Sequence, residues 1–305
     1  MANPPQAAVV TGANRGLGLE VRGAFNSPAK RLQRGAAGEV PTALRPHKRD
    51  PIICPLQLCR QLLSRGWLVL AACRRSSEEL AALQQQPGAR GSQTSAGSLR
   101  VIEGVDVGSD SCVAVLQAAA AGVPVGWLIC NAGVLSVDSV AELDTDVMRQ
   151  QFEVNALGPL RVAHALAANL VQGQSKVAFV SSKMGSLTAT REGGKNGSAG
   201  YRVSKAAANM AGQLLALDLR QQSIPLVLIH PGAVATGMYQ RYWEAAHGGG
   251  DGSSEQGGPG GMAVSAHGVI STEAAATGVL QRLDELRLEQ PGQFVQATTG
   301  EVLPW

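Results

Sequence analysis

Aromatic side chains make up only 4% of the 305 residues, and charged ones 16%. With so few aromatics and so much alanine and glycine, the composition favours helices packed closely on a sheet over a β-sandwich. The 45% hydrophobic content supports a sizeable core and argues against global disorder. No apolar run reaches the ~20 residues that a membrane-crossing helix needs, so no membrane partner is expected. The five cysteines stand at 54, 59, 73, 112 and 130. Their count is odd and no C-x-x-C occurs, so neither a disulfide framework nor a zinc site is expected, which suits a reducing compartment. His47, His247 and His267 show no metal-ligand spacing, and His164 and His230 read as structural and packing residues, so no metal is expected. No charged or Arg/Ser-rich leader precedes the first apolar run at Ala7, and the expected location is cytoplasmic.

The net charge of +3 is unevenly placed. Residues 21–57 hold Arg22, Lys30, Arg31, Arg34, Arg45, Lys48 and Arg49 against Glu39 and Asp50. The rest of the chain is therefore slightly acidic. One basic segment gives no nucleic-acid footprint, and no nucleic-acid partner is expected.

Short apolar runs at 7–11, 67–73, 99–103, 125–131, 176–181 and 225–230 read as buried parallel strands, because they are continuous rather than alternating. Helical patterns lie between them at 58–65, 111–121, 144–168 and 204–220, and 294–296 adds a last edge strand. Strand–helix alternation after a Gly-rich first turn predicts an α/β fold across 1–305: a single doubly wound parallel-sheet (Rossmann) domain with helices on both faces.

Two stretches stand outside this pattern. Residues 248–261 are Gly/Ser-rich, and the region 239–271 around them reads as a mobile substrate lid. Residues 21–57 contain five prolines and interrupt the helix expected after the Gly-rich turn, where proline costs about 3 kcal/mol. Without them the chain reads GLGLE-LCRQLLSRGWLVLAACR, an unbroken amphipathic helix followed by a strand. Val21-Arg22 can be encoded GTGAGG and Leu56-Gln57 CTGCAG, which suit an intron donor and acceptor, and 37 codons keep the frame. A retained intron and a genuine surface insertion both fit; the first is preferred.

Three constellations carry chemistry. Thr11-Gly12-Ala13-Asn14-Arg15-Gly16-Leu17-Gly18 follows the first strand, where glycines admit a pyrophosphate close to the backbone and a helix N-terminus supplies N–H groups. Asn131-Ala132-Gly133 ends the fourth strand, and ligands of open α/β sheets bind at the carboxyl ends of the strands; locally, a plain strand-to-loop turn fits equally. Tyr201 and Lys205 lie four apart on one helix face, and a nearby cation would lower the tyrosine's pKa of about 10. Ser182, ending the preceding strand, could bond the same substrate oxygen.

These motifs, with Asn155 and Pro231-Gly232, resemble the short-chain dehydrogenase/reductase signature in its order. Asn155-Ala-Leu-Gly-Pro-Leu160, Ser181-Ser-Lys-Met-Gly-Ser186, Tyr201-Arg-Val-Ser-Lys-Ala-Ala207 and Gly300-Glu-Val-Leu-Pro-Trp305 resemble its sniffer-type carbonyl reductases and C-factor proteins. The resemblance implies a catalytic tetrad. Tyr201 would donate the proton, and Lys205 would lower its pKa and hold the nicotinamide ribose. Ser182 would polarise the carbonyl, and Asn155 would hold a water that links Lys205 to solvent. It also implies cofactor contacts from the Gly-rich turn, Asp106, Val107, Asn131, Ala132, Gly133, Tyr201, Lys205, Pro231, Gly232, Val234 and Thr236. Cys130 replaces the family's more usual asparagine.

No acid sits near Cys73 in the second strand, where an NAD enzyme usually has one; Arg74 and Arg15 instead suit a 2′-phosphate, so the expected cofactor is NADPH. Met184, Leu187, Met238, Tyr239, Tyr242 and Trp243 are candidate substrate walls. The expected function is reduction of a small aldehyde or ketone. The alternatives are a non-catalytic NADPH-responsive regulator and a chain that residues 21–57 inactivate. Relatives use 144–168 and 204–220 for dimer or tetramer contacts and others are monomers, which leaves homodimer and homotetramer open.

Overall fold

The computed structural model describes residues 6–13, 55–86, 97–138, 140–141, 143–193, 197–240, 242 and 268–305. The expectations placed on Asn14 to Gly18, on residues 21–54, on Trp243 and on 248–261 lie outside the described residues.

Seven parallel strands form one sheet: β1 (Ala7–Thr11), β2 (Leu68–Ala72), β3 (Ser98–Ile102), β4 (Trp127–Cys130), β5 (Lys176–Val180), β6 (Leu226–His230) and β9 (Gln293–Gln296). Their order is β3-β2-β1-β4-β5-β6-β9. The order reverses at β1, which pairs with β2 (Ala7↔Leu68) and with β4 (Ala8↔Trp127). Such a switch point opens a crevice at the carboxyl ends of the strands. The edge strand β9 pairs parallel with β6, Val227 opposite Gln293. A small second pair, β7 (Ala233–Val234) with β8 (Val269–Ile270), sits beyond the end of β6.

Helices cover both faces. On one side α1 (Pro55–Ser64), α2 (Glu78–Gln85) and α8 (Thr272–Glu285) bury Leu58, Leu62, Leu80, Val279 and Leu283. On the other, α3 (Ser111–Ala119), α5 (Gly158–Ala165) and α7 (Ala199–Arg220) bury Leu116, Val162 and Leu219 over Phe179. Each such leucine or phenylalanine contributes about 1.5–3 kcal/mol by leaving water. Where α7 crosses β6, Gly212 faces Leu228; an added Cβ would lie 2.7 Å from Leu228 Cδ2.

The stretch 144–168 differs from the single helix expected. It breaks into α4 (Thr145–Phe152), a π-turn (Glu153–Leu157), α5 and a short 3-10 turn. Pro159 has no N–H to donate to the carbonyl of Asn155 four residues back, so the α ladder is interrupted there. Widened turns of this kind recur at functional sites, and Asn155 lies inside this one. Elsewhere Pro55 opens α1 in place of the predicted start at 58, and α6 (Leu187–Gly193) joins a 3-10 turn (Lys183–Gly185) to α7. Among the described residues no helix is long and apolar enough to cross a membrane.

Candidate functional site

The carboxyl ends of β1, β4, β5 and β6 bring together most of the residues singled out in the sequence. At the switch point, buried Thr11 holds β1 to β4: its hydroxyl accepts hydrogen bonds from the N–H groups of Asn131 (3.1 Å) and Ala132 (3.2 Å). Gly12 follows with φ +75°, and an added Cβ would lie 3.0 Å from the Ala132 Cα. Both conformation and space demand glycine there. Asn131 is fully buried, and its Oδ1 has no hydrogen-bond partner. A buried acceptor left open at the carboxyl end of an interior strand is unusual.

Asn155 is buried and fully committed. Its Oδ1 accepts from Val134 N–H, and its Nδ2 donates to the Val134 carbonyl and to Ser204 Oγ, at 2.8, 2.8 and 2.9 Å. The Ser204 hydroxyl in turn donates to the carbonyl of Tyr201 at 2.8 Å. Asn155 thus ties the loop after β4 to the first turns of α7.

Ser181 and Ser182 separate cleanly. Ser181 donates to Asn209 of α7 and is buried within the sheet end. Ser182 caps the 3-10 turn, accepting from Met184 N–H at 3.2 Å, and lines the same cleft as Tyr201.

Tyr201 and Lys205 are both buried, the lysine at 1% exposure. Lys205 Nζ donates to the Val180 carbonyl at 2.8 Å and lies 5.8 Å from the Tyr201 ring centre. Burial brings the lysine down to about 7. It pushes Tyr201 well above its usual 10, with the Ser182 hydroxyl opposing. The sequence led to the opposite expectation, a tyrosine lowered by its neighbouring cation. The correction is physical: with both groups out of water, each charged form is penalised, and the lysine loses much of the charge that was to do the lowering.

Tyr201, Ser182, Pro231, Gly232, Val234 and Thr236 line one cleft of about 340 Å³. Met184, Met238, Tyr239 and Tyr242 form part of its wall. Gly232 takes φ +97° against Ile270 of β8, and Thr236 Oγ1 accepts from Tyr239 N–H. Leu187 is not in the wall. It opens α6, which buries none of its residues, and it stands 76% exposed. His230, read as a packing residue, lines the cleft, and so do Lys183 and Arg202, which the motifs did not single out beyond their place in them. His230 is lowered to about 4 by burial and then by Lys183 and Lys205. Only proximity in the fold reveals this group; no spacing in the sequence does.

At the other end of the crevice, Arg74 is exposed just beyond β2, and Val107 is buried after β3. Asp106 Oδ1 accepts from Gly108 N–H at 3.0 Å. Glu103, at the end of β3, accepts from Ser76 N–H and faces the Cys73 thiol. The fold therefore brings an acid beside Cys73 that β2 alone does not contain. Among the described residues no three His, Cys, Asp or Glu side chains gather as a metal site.

The family model for short chain dehydrogenases matches residues 55–247. The chain is 35% identical to the 1-hydroxy-2-glutathionyl-2-methyl-3-butene dehydrogenase of Rhodococcus sp. (strain AD45) over 250 residues, 81% of this chain and 93% of that one. It is 38% identical to the C-signal protein of Myxococcus xanthus over 184 residues, 60% of this chain and 93% of that one. The fold is similar to the NADPH-bound carbonyl reductase from chicken fatty liver (TM-score 0.69, 20% identity, 99% of this chain and 100% of that chain). It is also similar to the carbonyl reductase Sniffer of D. melanogaster (TM-score 0.65, 20% identity, the same coverage). By sequence match and by sheet order, the protein belongs to the short-chain dehydrogenase family of oxidoreductases.

Proposed function

We propose that the protein is an NADPH-dependent reductase that converts a small aldehyde or ketone to its alcohol, with Tyr201 as the proton donor. One observation carries this reading: Ser182 and Tyr201 share the wall of one cleft, with Lys205 buried behind the tyrosine, its Nζ 5.8 Å from the ring centre.

The residues at the switch point suit a dinucleotide. The open Asn131 Oδ1 and the tight approach of Gly12 to Ala132 leave backbone and an acceptor ready for it. Arg74 would meet the 2′-phosphate with its planar fork. Asp106 and Val107 would flank the adenine, and Thr236 would meet the nicotinamide amide. When bound, the nicotinamide supplies the hydride to the carbonyl carbon.

The protein's own share is positioning and proton supply. The carbonyl oxygen accepts hydrogen bonds from Ser182 and Tyr201. Because burial keeps Tyr201 a phenol, it holds its proton at neutral pH and releases it only as negative charge grows on that oxygen. Lys205, near 7, exists in both protonation states at neutral pH and supports the phenolate left behind. Asn155 acts through Val134 and Ser204, fixing the start of α7 and with it the tyrosine.

The test is turnover of NADPH with an aldehyde panel by the full chain and by Tyr201→Phe. The variant is expected to bind NADPH as the wild type does and to lose at least about a thousandfold in kcat, at the level expected when a positioned proton donor is removed. A wild-type protein that binds NADPH yet reduces nothing in the panel would favour a regulatory role instead.

A further inference from the structure

Three basic side chains line the cleft: Lys183, directly after Ser182; Arg202, directly after Tyr201; and His230 at the end of β6. No Asp or Glu lines it among the described residues. Lys183 is exposed and pairs with no acid or acceptor among the described residues. Arg202 is held in place by its Nε on the Gly197 carbonyl (3.1 Å) and its Nη1 on Thr190 Oγ1 (3.2 Å). The His230 Nδ1 is buried without a hydrogen-bond partner. An unsatisfied buried nitrogen costs free energy that a suitable ligand group relieves. The charges of Lys183 and Lys205 both act on the His230 imidazole against its protonation, so this side of the cleft is electropositive.

We propose that Lys183 and His230, beside the anchored Arg202, form an anion subsite, so that the carbonyl compound taken by this cleft carries a carboxylate. The inference rests on the reductase reading above for the word carbonyl, and on the lining charges for the word carboxylate. A carboxylate matches the point charge of the lysine. Bound beside His230, it would accept a hydrogen bond from the imidazole and offset the neighbouring lysine charges that disfavour its protonation. The apolar part of the same substrate would meet Met184, Met238 and Tyr239.

The experiment uses the full chain saturated with NADP+, so that the cofactor's own phosphates cannot supply the anion. Binding of 4-carboxybenzyl alcohol and of benzyl alcohol is titrated to wild type, Lys183→Gln, Lys183→Arg and Arg202→Gln. In parallel, kcat/KM is measured for 4-carboxybenzaldehyde and benzaldehyde with NADPH. The carboxylated ligand is expected to be preferred by about tenfold or more, as charge complementarity in a partly dry cleft gives. Lys183→Gln should bring that preference close to one, and Lys183→Arg should keep most of it. Equal binding of the two alcohols by the wild type would overturn the subsite, and so would a preference that neither Lys183→Gln nor Arg202→Gln moves. If neither aldehyde is reduced but the binding preference and its loss persist, the subsite stands and the reductase reading falls. If both aldehydes are reduced equally well and the alcohols bind alike, the reverse holds.

Discussion

Lys205 of α7 donates its Nζ to the main-chain carbonyl of Val180 at the end of β5, at 2.8 Å. The bond spans helix and sheet, and it holds a potential cation where almost no water reaches it. Lysine ordinarily titrates at 10.5; here burial brings it to about 7. Between those two values the unfolded chain binds a proton that the folded chain does not. Raising the pH through this window therefore removes an advantage of the unfolded state, and folding becomes more favourable. Below pH 7 both states are protonated and the full cost of burying the cation remains. From above, the Cys73 thiol opposes: burial and then Glu103 raise it from 9.0 to about 11, so from pH 9 upward the unfolded state gains by ionising. Urea denaturation of the cofactor-free protein should thus show stability rising from pH 7 to 9, with a slope of at most about 1.4 kcal/mol per pH unit. In Lys205→Met most of that rise should be lost, leaving the part that Lys176, also lowered by burial, supplies. A variant with the same slope as wild type would place the titration elsewhere.

Thr11 gives a prediction about the switch point itself. Its hydroxyl takes two backbone N–H groups, from Asn131 and Ala132, and it is 1% exposed. Thr11→Val keeps the shape and strands two buried donors, each worth about 1–3 kcal/mol. Thr11→Ser keeps the acceptor and loses one methyl group, about 1 kcal/mol. The valine variant should be the less stable of the two by about 2 kcal/mol or more in urea. If serine costs as much as valine, packing of the methyl group and not the hydrogen bonds secures β1 to β4.

The sheet was legible because its strands are continuous apolar runs: β2, β5 and β6 fall within one residue of the runs at 67–73, 176–181 and 225–230. Even the short edge strand β9 could be read from 294–296. Helix α2 was not, since Leu80 and Leu83 are its only buried residues. Its local signal is the Ser77 cap, which accepts from Leu80 N–H, with Glu78 and Glu79 in the first turn, as helix starts favour. Helix α8 carries both signals, a Ser271 cap and buried Ala276, Val279, Leu280 and Leu283, yet it lies beyond the strand–helix alternation that guided the reading. At the site, the order of Ser182, Tyr201 and Lys205 points to residues that lie near one another, while Asn155 bonds Val134 and Ser204 instead. Their burial does not show in that order, and burial decides the direction of both pKa shifts. Lys183 and His230 lie 47 residues apart in sequence and act on one another only through the fold.

The proposed choice of NADPH can be tested at the ends of β2 and β3, where Arg74 and Glu103 stand. Arg74 stands exposed beyond β2, while the Glu103 carboxylate accepts from Ser76 N–H close by; the proposed 2′-phosphate contact makes Arg74 the residue to test. Arg74→Ala should weaken NADPH binding by about tenfold or more, the scale of a lost charge-assisted contact, and should change NADH binding little. Fluorescence titration with both nucleotides checks this. Equal weakening of the two would mean that Arg74 acts on the pyrophosphate or on the fold and does not read the 2′-phosphate.

The segment 21–57 bears on whether the first helix can face a pyrophosphate at all. Its last three residues, Pro55-Leu56-Gln57, form the first turn of α1, with Pro55 and Leu56 buried. Removing 21–57 would put Gly18-Leu19-Glu20 directly ahead of Leu58. Leu19 would then occupy the place of Leu56, and Glu20 that of Gln57, so the buried face of α1 keeps its register over Leu58, Cys59 and Leu62. The same excision would join the Gly-rich turn to the helix without a break, and a helix N-terminus aligned on the turn is what holds a phosphate. The family match begins at Pro55, at the end of this segment. The shortened protein should therefore fold and bind NADPH at least about tenfold more tightly than the full chain, a difference of about 1.4 kcal/mol, in a fluorescence titration. Equal affinity would make the segment a tolerated surface loop and remove the structural support for a retained intron. Failure of both folded forms to bind would reject the dinucleotide site itself.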